Sequence, residues 1–108
     1  MPLIAFGINH ETADISLREK LAFAPEQLAE AMLSLREAVG GGAVILSTCN
    51  RCELVVAGSG QDIREHLLRW LASWHRVEPS LVAEHSYCFE DKEAMHHLMS
   101  VASGLDSM

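Results

Sequence analysis

A cysteine thiolate is the strongest side-chain nucleophile near neutral pH, and Cys49 stands within Ser47-Thr48-Cys49-Asn50-Arg51-Cys52-Glu53, a polar stretch between two apolar runs. Where a strand gives way to a turn, a side chain is held rigidly yet stays open to a substrate. Arg51, two residues on, offers two chemistries. A nearby guanidinium favours the thiolate over the thiol, and the same fork can hold a carboxylate through two parallel hydrogen bonds. The local sequence leaves both open, together with the plainer alternative that Cys49 and Cys52 are small hairpin residues and Arg51 a solvated charge.

Cys49-Asn50-Arg51-Cys52 is also a C-x-x-C. Redox pairs of that form open a helix whose N-terminal dipole lowers the thiol pKa, whereas Glu53-Leu54-Val55-Val56 reads as strand. A zinc site needs four ligands, and Cys49, Cys52, Cys88 with His96 or His97 lack the second close pair of strong motifs. The dithiol and zinc readings therefore rank below a single nucleophile. Of the six histidines, His66 and His75 lie on a charged helical stretch and read as surface residues. His96 and His97 flank an apolar helical stripe, so one of them faces inward or into a cleft; periodicity alone favours a satisfied, partly buried imidazole, while beside a reactive cysteine a neutral imidazole suits proton transfer near neutral pH.

The elements that would position these groups follow from periodicity. Leu3 to Ile8 is a short apolar run ending in a polar turn, which predicts a buried strand. Ser16-Leu17-Arg18-Glu19 has capping-box spacing and predicts a short helix through Leu21. Pro25 opens a helix whose stripe is Leu28, Ala31, Met32, Leu35, Ala38 and Val39, and Gly40-Gly41-Gly42 ends it. Ala43–Leu46 and Leu54–Ala57 are strand candidates joined by the cysteine stretch. Ile63, Leu67, Trp70, Leu71 and Trp74 keep helical spacing, with both tryptophans read as core. Glu78-Pro79-Ser80 breaks that helix and introduces a turn, Ser86–Phe89 is a last strand, and Asp91 caps a final helix with Ala94, Leu98, Val101 and Leu105 on one side. The order β-α-β-β-α-β, followed by an extra C-terminal helix, predicts an α+β ferredoxin-like split βαβ sandwich with the helices on one sheet face.

At 108 residues the chain has room for a single domain, 1–108. Fifteen acidic residues against eight basic ones leave a net charge of −7, spread over both halves, which argues against a generic nucleic-acid or anionic-membrane surface. No apolar run approaches the ~20 residues of a membrane helix. Neither a basic, apolar leader nor a disulfide framework is visible, and a reducing cytoplasm is the expected location.

Three segments together resemble the N-terminal catalytic domain of glutamyl-tRNA reductase. They are Gly7-Ile8-Asn9-His10-Glu11-Thr12-Ala13, continuing to Arg18-Glu19 and Ala22-Phe23; Ser47-Thr48-Cys49-Asn50-Arg51; and His97-Leu98 with Val101-Ala102-Ser103-Gly104-Leu105-Asp106-Ser107. They run in order from end to end of the chain. Two departures are Asp14, where the family often has proline, and Cys52, where it often has threonine; oxidation of Cys52 with Cys49 would block activity. The resemblance implies that Cys49 attacks the ester of glutamyl-tRNA and holds glutamate as a thioester, which NADPH reduces to glutamate-1-semialdehyde for tetrapyrrole and haem synthesis. It further implies that Thr48, Asn50, Arg51 and Ser107 surround the glutamate, with Arg51 on its side-chain carboxylate, and that His97 assists in substrate handling or proton transfer. The family continues into an NADPH-binding domain and a homodimerisation domain that these residues lack, so the chain reads as cut from a longer enzyme and is not expected to complete the reduction alone. The alternative in a different class is an interaction module of the same enzyme that binds a control protein or haem.

Overall fold

The computed structural model describes residues 3–58 and 62–102. Within them, four strands, β1 (Leu3–Asn9), β2 (Ala43–Ser47), β3 (Arg51–Ala57) and β4 (Tyr87–Glu90), form one antiparallel sheet in the order β2-β3-β1-β4. The helices are α1 (Ile15–Leu21), α2 (Leu28–Val39), α3 (Ile63–His75), α4 (Pro79–His85) and α5 (Asp91–Ala102), with a single 3-10 turn at Pro25–Gln27 ahead of α2. The order and pairing are those of the expected split βαβ sandwich.

Strand alternation assigns the two faces. Ile4, Phe6 and Ile8 of β1 and Cys52, Leu54 and Val56 of β3 belong to the main core, joined there by Leu17 and Leu21 of α1, Ala31 and Leu35 of α2, Leu67, Leu68 and Leu71 of α3 and Val82 of α4. The predicted stripe of α2 supplies its buried side, and Gly40 closes the helix in the left-handed conformation at φ 70°, donating its N–H to Arg36 O at 2.9 Å. Trp70 and Trp74 pack against this core as expected, their rings stacked 5.5 Å apart with Phe23 alongside.

Residues of the other parity occupy the opposite face: Ala5, Gly7 and Asn9 of β1, Arg51 and Glu53 of β3, Tyr87 and Phe89 of β4. Ala5 and Ala94 are fully buried yet lie outside the main core, because α5 covers this second face, packing on β1 and β4. The expectation of helices on one face therefore holds for α1 to α4 and fails for α5, which turns the sandwich into three layers where it crosses.

Local corrections concern element ends. Asp14, not Ser16, caps α1: its Oδ1 accepts the Leu17 N–H at 2.9 Å, a bond of the kind worth about 1 kcal/mol. Pro79 starts a helix where a turn was expected, since a proline's missing N–H costs nothing in a first turn. Asp91 opens α5 in the left-handed conformation, at φ 52°, and its carboxylate accepts the Leu3 N–H at 3.2 Å. The polar connection is shorter than read, since Arg51, Cys52 and Glu53 already belong to β3 and only Thr48–Asn50 lie outside the strands.

Candidate functional site

The β2–β3 connection is a three-residue loop. Ser47 pairs with Cys52 at the last rung of the ladder, and Thr48 N donates to Arg51 O at 2.8 Å to close the turn. Thr48 Oγ1 accepts the Asn50 N–H at 3.2 Å. This turn leaves Cys49 exposed at its tip. A hollow of about 110 Å³ opens beside it, lined by Ile15, Arg18, Glu19 and Ala22 of the α1 region with Thr48 and Cys49.

Strand alternation sends Cys52 the other way. It is 2% exposed in the main core, and burial first, then the Glu53 carboxylate, push its thiol up to about 12. A thiol so held keeps its proton near neutral pH, unlike the low-pKa thiol of a redox pair. The two cysteines of the C-x-x-C are thus divided between solvent and core, which opposes the dithiol and zinc readings on physical grounds.

Arg51 and Glu53 share the α5-side face. Arg51 is 2% exposed, which overturns its reading as a solvated charge, and its Nη1 donates to Glu53 Oε2 at 2.6 Å. The other Glu53 oxygen lies 2.6 Å from His97 Nε2 on α5. Tyr87 completes the group, its hydroxyl accepting from Arg51 Nη1 at 3.4 Å. Burial first and the Glu53 carboxylate second push the Tyr87 hydroxyl far above its usual range, so it remains protonated. His97 packs against the rings of Phe89, at 4.7 Å, and Tyr87, at 5.2 Å, which also touch each other. It reaches a second hollow of about 260 Å³ with Phe89, Glu93, His96 and Ser100.

Of the histidine pair, His97 is the inward one and His96 is exposed. His75, read as a surface residue, is instead half-buried with its ring 4.5 Å from Phe23, and desolvation lowers its pKa. Ser107 lies outside the described residues. The structure joins His97 to Arg51 through Glu53, and Arg51, the first residue of β3, follows Cys49 by two positions; the hollows beside Cys49 and His97 share no lining residue.

Glu53 is the residue the sequence reading left in the connection without a role. Two signals mark it: Arg51 and Glu53 alternate on a strand, and Gly7 faces Glu53 across the sheet. A Cβ on Gly7 would stand 2.2 Å from Cys52 O and 2.9 Å from Glu53 Cγ, so the missing side chain is what admits the carboxylate. Asn9, paired with Arg51, holds the neighbouring turn, its Oδ1 accepting from Glu11 N at 2.9 Å and Thr12 N at 3.1 Å.

NADPH would need a phosphate cradle at the start of a helix in a parallel βαβ unit. The sheet here is antiparallel and Gly40-Gly41-Gly42 follows a helix instead of opening one, so the described residues do not fit that cofactor. None of the described helices is long and apolar enough to cross a membrane.

Comparison with known proteins agrees with the motifs. The family model for the glutamyl-tRNA(Glu) reductase N-terminal domain matches residues 6–108. Glutamyl-tRNA reductases of Marinobacter nauticus and Pseudoalteromonas translucida are each 48% identical over 109 aligned positions, covering 100% of this chain but 25% and 26% of theirs. The structure of glutamyl-tRNA reductase from Methanopyrus kandleri superposes with a TM-score of 0.73 at 32% identity, covering 98% of this chain and 23% of that one. The chain therefore spans about a quarter of the length of these relatives.

Proposed function

Since the chain belongs to the glutamyl-tRNA reductase N-terminal domain family, we propose that it carries the acyl-transfer half of the reduction of glutamyl-tRNA to glutamate-1-semialdehyde, the entry to tetrapyrrole synthesis. The observation that carries the proposal is the exposed Cys49 at the tip of a hydrogen-bonded turn, two residues from a buried, carboxylate-held Arg51. The Cys49 thiolate attacks the ester carbonyl of the aminoacyl end. A carbon–sulfur bond forms, the bond to the ribose oxygen breaks, and that oxygen leaves as the tRNA hydroxyl by taking up the proton that the Cys49 thiol gave up on forming the thiolate. Glutamate is retained as a thioester, whose carbonyl is more electrophilic than an ester's, so one difficult reduction becomes two easier steps.

Arg51 takes the substrate carboxylate. Glu53 fixes the guanidinium through Nη1, which presents the planar fork in one orientation. Thr48, Asn50 and Ser107 are assigned to the same glutamate. His97 is assigned to proton handling: a carboxylate only accepts, so Glu53 selects the tautomer with its proton on Nε2. Reduction by NADPH is assigned to polypeptide outside these residues, as are the homodimer contacts.

The test is intact-protein mass spectrometry of the chain mixed with glutamyl-tRNA. A glutamyl adduct that is absent in Cys49→Ser and cleaved by hydroxylamine is the expected result. An adduct that persists in Cys49→Ser overturns the assignment.

A further inference from the structure

We propose that Arg18 is the positioning residue for the nucleophile, clamping the Cys49 loop to α1 so that the thiol is presented to the acyl carbon; this rests on the reading of Cys49 above. Arg18 Nη1 donates to the Cys49 carbonyl at 2.8 Å and Nε donates to the Ala13 carbonyl at 3.3 Å. One guanidinium thereby ties the peptide of the nucleophile itself to the segment that leads into α1.

The loop's own bonds explain why such a clamp matters. Thr48 N to Arg51 O and Asn50 N to Thr48 Oγ1 are both local. They give the turn its shape. The bond from Arg18 comes from a helix on a different part of the chain, and α1 is itself anchored. Asp14 caps it, Ala13 N donates to Asn9 O at 3.0 Å, and Leu17 and Leu21 sit in the core. Holding the Cys49 carbonyl fixes the orientation of its peptide plane and with it the direction in which the side chain leaves the backbone. Arg18 also lines the hollow beside Cys49, so the clamp forms part of the wall past which the acyl ester must approach.

Only arginine fits both bonds. Its Nε and Nη donors diverge from one rigid plane and can serve two carbonyls at once, whereas a lysine ammonium is a point donor on a flexible stem. Displacement of a reacting group by about 1 Å costs on the order of 100-fold in rate. That sets the effect expected if the loop tip is released.

The experiment uses the intact chain and single-turnover acylation by saturating glutamyl-tRNA, with the thioester quantified by mass. Arg18→Ala is expected to lower the acylation rate by about 100-fold with little change in the half-saturating tRNA concentration. Added guanidinium ion should partly restore Arg18→Ala and leave the parent unaffected. Arg18→Lys should fall between the two, and its rate decides the matter if Arg18→Ala fails to fold. Amide hydrogen exchange at Cys49 and Asn50 should quicken in either variant while β2 and β3 keep their protection. Overturning results are an unchanged acylation rate in Arg18→Lys, a loss confined to the half-saturating concentration, or unchanged exchange in the loop. Cys49→Ser runs alongside: acylation there at the parent rate defeats the nucleophile reading itself, an outcome distinct from a failure of the clamp.

Discussion

His97 Nε2 lies 2.6 Å from Glu53 Oε1 across 44 residues of sequence, and the same carboxylate holds Arg51 Nη1 at 2.6 Å through its other oxygen. Glu53 is fully buried and Arg51 2% exposed on the sheet face that α5 covers. Glu53 is thus the common partner of the two groups assigned to substrate carboxylate and proton handling, and it bonds them to one another's element.

Removing Glu53 leaves Arg51 buried without its carboxylate, a situation that typically costs about 3–5 kcal/mol. Glu53→Ala is therefore expected to unfold at markedly lower urea, and Glu53→Gln, which keeps hydrogen bonding but loses the charge, at an intermediate concentration. Urea titration followed by circular dichroism measures both, and a parent-like midpoint in Glu53→Ala contradicts the network.

The two cysteines of the C-x-x-C should separate cleanly in function. Cys49→Ser is expected to abolish thioester formation, because a hydroxyl without a dedicated base is a far poorer nucleophile than a thiolate. Cys52→Ser should retain acylation but lose about 1–3 kcal/mol of stability, since it places a hydroxyl in the main core. Comparable loss of acylation in both variants would indicate that the pair acts together.

Gly7→Ala tests the close approach of β1 to β3. The added carbon meets backbone, Cys52 O at 2.2 Å and Glu53 Cα at 2.8 Å, so no rotamer change relieves it. Overpacking of this kind costs roughly 1–3 kcal/mol, or more where backbone must shift. The expected outcome is a lower thermal midpoint together with loss of the aromatic signal of Tyr87. A midpoint equal to the parent's would show that the strands can separate at no cost.

Arg51→Lys keeps a positive charge but not the planar fork. Acylation by glutamyl-tRNA should weaken chiefly through a raised half-saturating concentration, with the Cys49→Ser variant as the zero reference. Parent-like efficiency in Arg51→Lys removes bidentate carboxylate recognition from the proposal.

Alkaline stability follows from Cys52. Its folded-state pKa is raised to about 12, so above the usual thiol range near 8.5 the unfolded chain releases this proton while the folded protein keeps it. Stability from this group is intact below that range and is lost as pH rises toward 12. Cys52→Ala should flatten the decline in urea midpoint over that alkaline window, and an equally steep decline in the variant would mean that other groups cause it. Under native conditions near pH 8, Ellman's reagent should accordingly react with Cys49 and spare Cys52.

Much of the fold was legible because apolar periodicity is a local property. The stripe of α2, the β-branched runs of β2 and β3 and the strand at Leu3 could be read directly, and their order specified the split βαβ arrangement. Element ends were less legible, since competing signals sit within two residues of one another. Ser16 had the capping-box spacing, but Asp14 takes the Leu17 amide. Arg51 read as part of the polar connection, yet it opens β3 and, with Glu53, is buried by a helix from the far end of the chain.

The sequence by itself determined the turn that carries Cys49. A Ser-Thr-Cys-Asn-Arg stretch between two strand-forming runs fixes which residue stands at the turn, because strand propensity and turn chemistry act over only a few neighbouring residues. Only the tertiary structure decided the partners. Whether Cys52 faces core or solvent depends on strand register, and whether Arg51 is solvated or buried depends on α5 lying over the second sheet face. That Arg18 reaches the Cys49 carbonyl depends on where α1 docks. Each of these is a contact between residues distant in sequence, set by how the apolar faces of separate elements pack together, and no local pattern carries that information.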